Sequence, residues 1–119
     1  MTGKANRDQL RIIAMIGAAE EAKQDSAAGK VEFIRGGLMQ KAVLLDLIHF
    51  TEPAEKTSAG FKKVNPKLPW ARLSRLRNSG LVHDYTEIDL EDVWSFVRDE
   101  LPRIRRQLDR VNSPDKDET

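Results

Sequence analysis

A chain of 119 residues is the length of one domain, which excludes a second core large enough to fold by itself. Its 20 basic and 19 acidic residues nearly cancel, so an electropositive surface for nucleic acid would have to come from local clusters of charge. The absence of cysteine excludes disulfides, thiolate metal sites and a cysteine nucleophile.

The first two predicted helices are separated by a short polar break. Over residues 6–23, apolar or small side chains recur at spacings of three and four, which is typical of an amphipathic helix with one buried face. The residues expected on that face are Leu10, Ile13, Ile16 and Gly17. Asp25-Ser26 supplies an N-cap signal for a short second helix around Phe33, which Gly36-Gly37 is expected to end.

The third predicted helix is long and apolar on more than one face. It runs from residue 38 to about residue 63, and Pro53 inside it is expected to kink the chain near residues 49–53. Its apolar positions are Leu38, Ala42, Val43, Leu44, Leu45, Leu47, Ile48 and Phe50. Because they cover more than one face, the helix is expected to pack on two sides, one of which could contact a second protomer. His49 is expected to be a satisfied core histidine, and Glu52 is either a structural or an active-site carboxylate.

Two further helices complete the predicted fold. Residues 65–69 form a turn, and Pro69 is placed as the first residue of a fourth helix that continues through Leu76. Asp89 is expected to be the N-cap of a fifth helix, which Pro102 should bend without ending because the apolar stripe continues beyond it. That stripe comprises Leu90, Val93, Trp94, Val97, Leu101, Ile104, Leu108 and Val111. With no convincing alternating segment, the sequence predicts an all-α bundle of four to five helices.

The bundle is expected to occupy residues 1–111. Residues 112–119 are expected to form a disordered tail, because they have little to bury. No apolar run is long enough for an export signal or a membrane span, so we expect a cytoplasmic protein.

The stretch RNSGLVHDY, residues 77–85, combines an arginine, a histidine and the single tyrosine of the chain. An imidazole with a pKa near ~6.5 can take a proton from a hydroxyl and return one to a leaving oxygen. A guanidinium stays charged and matches the geometry of phosphate. Arg77 and His83 therefore suit metal-independent RNA cleavage, in which the ribose 2′-hydroxyl attacks its own phosphodiester. The alternative is an ordinary polar helix end, with Tyr85 a half-buried ring whose hydroxyl meets water.

Other arginines could add a phosphate-binding surface. Arg72 and Arg75 lie on the same predicted helix as Arg77. The fifth predicted helix contributes Arg103, Arg105, Arg106 and Arg110. The alternative for all of them is a solvated helix face, which is the usual role of surface arginines.

The sequence around residues 77–85 resembles the HepT-like branch of the HEPN superfamily. Members carry a helix that opens with Pro-Trp, then an Arg-Asn pair, a short apolar step and His-x-Tyr, followed by Ile-Asp and Val-Trp. The matching residues, in the same order and spacing, are Pro69-Trp70, Arg77-Asn78, His83 and Tyr85, Ile88-Asp89 and Val93-Trp94. The resemblance covers residues 25–108.

The resemblance implies a homodimeric HEPN-type bundle that cleaves RNA without a metal or another cofactor. The family's Arg-x(4–6)-His motif maps onto Arg77, Asn78 and His83, with five intervening residues where HepT-like chains mostly have four. Glu52 keeps a carboxylate that relatives usually carry within Ile-Gly-Glu-Ala, although this chain reads FTEPAEK there.

The resemblance also implies partners. HepT members of the family are toxins of a toxin–antitoxin pair, and an MNT-type nucleotidyltransferase antitoxin adds AMP to the tyrosine of His-x-Tyr, which here is Tyr85. A bulky anionic nucleotide at that position would occupy phosphate space and block the RNA site. The implied partners are therefore a second copy of the chain, the antitoxin, and an RNA such as tRNA or mRNA.

Two alternative functions stay open in the sequence. The extra residue between Arg77 and His83 would turn the histidine by roughly 100° on a regular helix, and Ser79-Gly80 is a place where a bulge could absorb it. If activity is lost, the chain would be a non-catalytic HEPN module that binds RNA or a nucleotidyltransferase. The other alternative is a plain helical subunit whose third helix serves only for dimerisation.

Overall fold

The computed structural model describes residues 4–81 and 85–112, without the side chains of Lys4, Ala5 and Tyr85. Within these ranges the chain forms α-helices and no strand, which confirms the predicted all-α class. In chain order the helices are α1 (Lys4–Asp25), α2 (Lys30–Arg35), α3 (Leu38–Lys56), α4 (Ala59–Val64), α5 (Trp70–Leu76), α6 (Leu90–Ser95) and α7 (Leu101–Val111). A wider, π-helical turn at Phe96–Glu100 joins α6 to α7, and Tyr85–Glu87 forms a single 3₁₀ turn. The segment Arg77–Leu81 follows α5 and is kinked, with non-helical dihedrals at Ser79 and Gly80.

The core forms where α3 packs against α1 and α5. The continuous helical segment from Leu90 to Val111, called here the α6–α7 rod, packs against α1 through α7 and places Phe96 against Phe50 of α3. Helices α1 and α3 run antiparallel, since Arg11 donates to the Lys56 carbonyl at one end and Glu21 lies close to Asp46 at the other. The largest fully buried side chains are Phe33, Phe50, Phe96, Ile12, Met15, Leu47, Leu73, Leu76, Leu81 and Leu108. The predicted fifth-helix stripe supplies much of this core, because Val93, Trp94, Val97, Leu101, Ile104 and Leu108 are all buried.

Helix α1 has the predicted position but buries a different face. Leu10 and Ile13, expected in the core, are 61% and 48% exposed, and Gly17 is exposed as well. The buried side chains are Ile12, Met15, Ala18, Ala19 and Ala22. The prediction was wrong because both faces carry apolar residues at helical spacing, and the face rich in alanine allows closer approach to α3.

The boundaries of α2 and α3 also correct the sequence analysis. Residue Gly29, and not Asp25-Ser26, is the N-cap of α2, whereas Gly36 ends that helix at a φ of 92° as predicted. The third helix ends at Lys56 and does not continue to residue 63. A new helix begins because the Ser58 hydroxyl accepts from the Phe61 N–H at 3.2 Å.

A tertiary contact holds Ser58, the N-cap of α4, in place. The Asp8 carboxylate on α1 accepts from the Ser58 N–H at 2.9 Å and from the Ser58 hydroxyl at 2.6 Å. Asp8 itself is buried. The break between α3 and α4 is therefore stabilised by a residue 50 positions earlier in the chain, which local sequence cannot reveal.

The α6–α7 rod contains a proline, Pro102, within its long apolar stripe and still continues as a helix. Asp89 caps α6 as predicted, accepting from the Asp92 N–H at 3.1 Å. Just before Pro102, the Leu101 N–H bonds the Phe96 carbonyl five residues back. This wider turn gives the chain a place to absorb the missing donor and the bulk of the proline ring, so the helix continues to Val111.

In the part of the chain that the structure describes, none of the helices has both the length and the apolar character needed to cross a bilayer. The predicted tail lies outside the described residues from position 113 onward.

Candidate active site

The helix that carries Arg77 breaks at the predicted place. Ser79 and Gly80 have non-helical dihedrals, and Gly80 has a φ of 123°, in the region that favours glycine. A Cβ on Gly80 would lie 2.8 Å from the Ile88 Cγ1, so no larger residue fits without movement. The Ser79 hydroxyl bonds the Leu76 carbonyl at 2.7 Å, which ties the broken turn to the end of α5. The prediction of a bulge at Ser79-Gly80 is confirmed.

Arg77, two residues before this break, faces the carboxylate of Glu52 on α3. The Arg77 Nη2 lies 3.4 Å from the Glu52 Oε1, and the two side chains are 25% and 39% exposed. The Arg77 Nε is buried and has no hydrogen-bond acceptor in the described part of the chain. A guanidinium has five N–H donors, and this long contact engages one of them. An anion can therefore use the Nη donors that do not contact Glu52, whereas the buried Nε is not accessible to it.

Glu52 is held in its ionised form by two cations. The Lys56 Nζ lies 3.4 Å from the Glu52 Oε2, one helical turn along α3. Hydrogen bonds from Lys56 first, and from Arg77 second, lower the pKa of Glu52 below its usual value. A carboxylate that stays ionised cannot donate a proton near neutral pH, so its suitable role is to orient Arg77. Lys56 could have been identified from the sequence as a partner of Glu52, because residues four apart are neighbours on one face of a helix.

A groove of about 580 Å³ between α1 and α3 is lined in part by Glu52 and Lys56. Its lining includes Arg11, Glu21, His49, Glu52 and Lys56. The expectation that His49 is a core histidine was wrong, since its side chain is exposed and lies three residues from Glu52. Arg11 is a basic residue of this groove that the sequence analysis missed, because nothing local connects it with α3.

Arg72 has a different environment from Arg77, although both lie on the same stretch of helix. Its guanidinium donates to both oxygens of Asp92 at 3.1 and 3.2 Å and to both oxygens of Glu100 at 3.0 and 3.1 Å. It also lies 5.3 Å from the centre of the Phe96 ring. These carboxylates, Glu100 first, raise the pKa of Arg72 further above its usual value. Two bidentate partners balance its charge, whereas Arg75, the other predicted phosphate ligand, is exposed.

The remaining predicted site residues lie at or beyond the broken turn. Asn78 is exposed directly after Arg77. His83 lies outside the described residues, as does the side chain of Tyr85, whose backbone opens the Tyr85–Glu87 turn. The structure therefore brings together Arg77 and Glu52. In the sequence, His83 follows Leu81 by two positions.

A carboxylate cluster that the sequence analysis missed lies at the other end of the α1–α3 interface. Glu21, Asp25 and Asp46 each place a carboxylate oxygen within 4.8 Å of the others, a spacing that could also hold a hard cation. Asp46 is only 8% exposed, and its Oδ2 has no hydrogen-bond partner in the described ranges. Burial, followed by the proximity of Asp25, raises the pKa of Asp46 from 3.8 to about 8. The only signal in the sequence was an aspartate inside an apolar run.

Comparison with known proteins gives matches over most of the chain. A family model described as "Ribonuclease HepT-like" matches residues 15–111. Over 80 residues the chain is 25% identical to "Probable ribonuclease HepT" of Thermococcus cleftensis and 30% identical to "Putative RNase MJ1380" of Methanocaldococcus jannaschii. Each match covers 67% of this chain and 72% of the relative. No solved structure matches the chain significantly.

Proposed function

The chain belongs to the HepT-like ribonuclease family, and from this premise we propose that it is a metal-independent endoribonuclease acting through Arg77 and His83. The observation that carries the proposal is the Arg77–Glu52 pair beside the glycine break that precedes His83. The pair holds a guanidinium that is 25% exposed and makes one long contact, from Nη2 to the Glu52 Oε1, so its other Nη donors can meet an RNA phosphate.

The proposed reaction is an internal transesterification of RNA. His83 takes the proton of a ribose 2′-hydroxyl, and the 2′-oxygen attacks the adjacent phosphorus. Arg77 stabilises the negative charge that builds on the phosphate oxygens, while Glu52 keeps the guanidinium in place. The protonated His83 returns its proton to the 5′-oxygen, which leaves as a hydroxyl when its bond to phosphorus breaks, and the other product ends in a 2′,3′-cyclic phosphate. Each step uses groups of the protein and of the RNA alone.

The Gly80 break supports activity with five residues between Arg77 and His83. On a continuous helix the extra residue would rotate the histidine by roughly 100° away from the family's arrangement. Because Ser79 and Gly80 leave the helical conformation, the direction of the following chain no longer depends on helical phase. Asn78 and Arg75 are exposed, and in this proposal they would contact the substrate. Arg72, predicted as a further RNA ligand, is instead saturated by Asp92 and Glu100, so the proposal does not depend on it.

The test is cleavage of labelled RNA in EDTA by wild type and by folded Arg77→Ala and His83→Ala variants. The expected result is cleavage by wild type with 2′,3′-cyclic ends and a loss of at least ~10²-fold in both variants. His49→Ala is the matched control, because the chain has only two histidines and His49 lies near Glu52. RNA that is bound but never cut would favour the non-catalytic module, and neither binding nor cleavage would favour the plain helical subunit.

The proposed enzyme is a homodimer that uses the outer face of α1 and α3. Leu10 and Ile13 on α1 and Leu45 on α3 are large exposed apolar residues of the described chain. Positions 45, 49 and 52 share one face of α3, so a partner on this surface would lie next to Glu52. In sedimentation analysis, Ile13→Asp is expected to yield monomers, whereas Val64→Asp, at another exposed apolar residue, should leave the dimer intact. A monomeric wild type would overturn this assembly.

The proposed biological role is that of a toxin neutralised by an MNT-type nucleotidyltransferase antitoxin. The acceptor of AMP would be Tyr85, in the turn just after the residues around His83. Incubation with ATP and the cognate transferase is expected to add mass in units of AMP to wild type but not to Tyr85→Phe. Equal mass gain on both proteins would remove Tyr85 from the account.

A further inference from the structure

A second cavity, remote from Arg77, lies between α1, the α1–α2 loop and the α6–α7 rod. It has a volume of about 640 Å³, within the range of small-ligand pockets. Its apolar lining includes Ala19, Trp94, Val97 and Leu101. Ala19 lies on the α1 face turned toward α7, whereas Glu52 and Arg77 lie on the α3 side of the molecule. The proposed catalytic site therefore makes no use of this cavity.

The rim of the cavity is basic. Five cationic side chains line it, and no carboxylate of the described residues does: Lys23, Lys30, Arg98, Arg105 and Arg106. Two of them are fixed by partners outside the lining, Lys30 by Glu91 at 2.6 Å and Arg105 by Glu20 and Asp109. Arg98 and Arg106 are exposed and make no ion pair in the described part of the chain. The free cations favour a ligand that carries a phosphate-like charge.

The apolar part of the cavity is built around an aromatic ring. Trp94 is 9% exposed and lines the cavity together with Val97 and Leu101. A planar ring, such as a nucleobase, would cover these apolar residues and could pack against the indole. A planar group joined to a phosphate therefore matches both the apolar lining and the basic rim.

We propose that the cavity between α1 and the α6–α7 rod binds a nucleoside phosphate. Its base lies against Trp94, Val97 and Leu101, and its phosphate lies between Arg98 and Arg106. The nucleotide could be free or could be the phosphorylated end of an RNA, because both present the same chemistry. This inference goes beyond RNA cleavage and does not require Arg77 to be catalytic.

Trp94 provides a local reporter for the test. The chain has two tryptophans, so Trp70→Phe leaves Trp94 as the single indole. Titration of this protein with guanosine monophosphate is expected to change the Trp94 emission saturably, and calorimetry on the unaltered chain gives an independent affinity. Guanosine and inorganic phosphate, which each lack one half of the ligand, should bind at least ~10-fold more weakly because one set of contacts is missing.

The variants separate this site from the surrounding basic surface. Arg98→Ala and Arg106→Ala should each weaken guanosine monophosphate binding about 10-fold, as expected for loss of a charged hydrogen bond. Arg103→Ala removes the same charge from the same helix but lies outside the cavity lining, so its affinity should match wild type. Arg77→Ala should also bind the nucleotide normally, which makes failure of this inference distinguishable from failure of the ribonuclease proposal.

Competition identifies the source of the nucleotide. If a short 5′-phosphorylated RNA displaces guanosine monophosphate and its 5′-hydroxyl form does not, the occupant is an RNA end. If neither RNA competes, the occupant is a free nucleotide, and both results support the site. No saturable signal in either assay at millimolar guanosine monophosphate would overturn the inference. Phosphate binding as tight as nucleotide binding, or Arg103→Ala weakening as much as Arg98→Ala, would also overturn it.

Discussion

Arg72 and Arg77 lie five residues apart on one stretch of helix, yet their environments differ. Arg72 is 19% exposed and is surrounded by Asp92 and Glu100, which match its donors in two bidentate pairs. Arg77 has a single contact of 3.4 Å with Glu52 and a buried Nε that lacks an acceptor. The first arginine uses its charge to join α5 to the α6–α7 rod. The second is 25% exposed and retains Nη donors beyond the one that contacts Glu52, which is the condition for binding an anion that arrives from solution.

The comparison shows why counting arginines on a helix does not locate a phosphate site. The residue type is the same, and only the carboxylates brought by distant segments distinguish the two positions. Lysine substitutions at both positions test this directly, because lysine keeps the charge and loses the planar fork.

Arg77→Lys is expected to have the largest effect, and that effect is on activity. Cleavage of RNA should fall about 10²-fold if Arg77 has its proposed role, because a single ammonium cannot replace a planar fork of donors in stabilising the transition-state phosphate. Stability should change by no more than about 0.5 kcal/mol, as for other partly exposed positions. Single-turnover cleavage and urea unfolding measure the two quantities. A large loss of stability with normal cleavage would reverse the roles assigned to Arg72 and Arg77.

Arg72→Lys should show the opposite behaviour. Loss of both bidentate pairs is expected to destabilise the fold by about 2 kcal/mol, between the values for surface and fully buried ion pairs. Cleavage per folded molecule should stay near the wild-type value. Urea midpoints with activity normalised to the folded fraction test this, and Arg75→Lys, at an exposed neighbour, is the stability control. An unchanged midpoint would mean that the Arg72 network contributes little.

Gly80→Ala tests the break that separates Arg77 from His83. At a φ of 123°, with Ile88 Cγ1 2.8 Å from the new Cβ, alanine is expected to cost about 1 to 2 kcal/mol and to lower cleavage by shifting the chain toward His83. Gly60→Ala, in α4 with open space around the position, should be neutral or slightly stabilising. Thermal unfolding of the two variants provides the comparison. If alanine changed the stability equally at the two glycines, the positive φ of Gly80 and its approach to Ile88 would not penalise a side chain.

Asp46→Asn extends the comparison from the two arginines to a buried carboxylate. Among the described residues, Asp46 has no basic side chain as a partner. The pKa of Asp46 is raised from 3.8 to about 8, so the folded protein keeps a proton that the unfolded chain releases. The Asp46 contribution to stability therefore falls as pH rises from about 4 to about 8 and is constant outside that window. The asparagine variant avoids this loss and should be more stable than wild type by several kcal/mol near pH 8, with no advantage below pH 4. Urea unfolding across this range measures the difference, and a pH-independent difference would contradict the raised pKa.

Several features could be predicted from local sequence because their causes are local. The Asp89 cap, the α6–α7 stripe and the glycine break at residues 79–80 depend on hydrogen bonds or dihedrals within a few positions. Glu52 could be proposed for the site through the family resemblance, and its contact with Arg77 across 25 residues is a result of the fold.

Other expectations failed for the corresponding reason. The exposed face of α1, the exposed position of His49 and the end of α3 at Lys56 all depend on packing partners elsewhere in the chain. The Asp8–Ser58 contact is the clearest example, because it separates α3 from α4 and spans 50 residues. Periodicity identifies apolar faces, but it does not say which of two such faces a neighbour will cover.

By itself, the sequence determined the all-α class, the order of the main helices and the place of the glycine break after Arg77. Helical periodicity, capping side chains and the φ of glycine are properties of short segments, so they can be read without the fold. Only the tertiary structure decided that Arg72 is neutralised while Arg77 is not, and that Asp46 is buried beside two other carboxylates. The energies of these charges depend on distance and burial, and both arise when remote helices pack together.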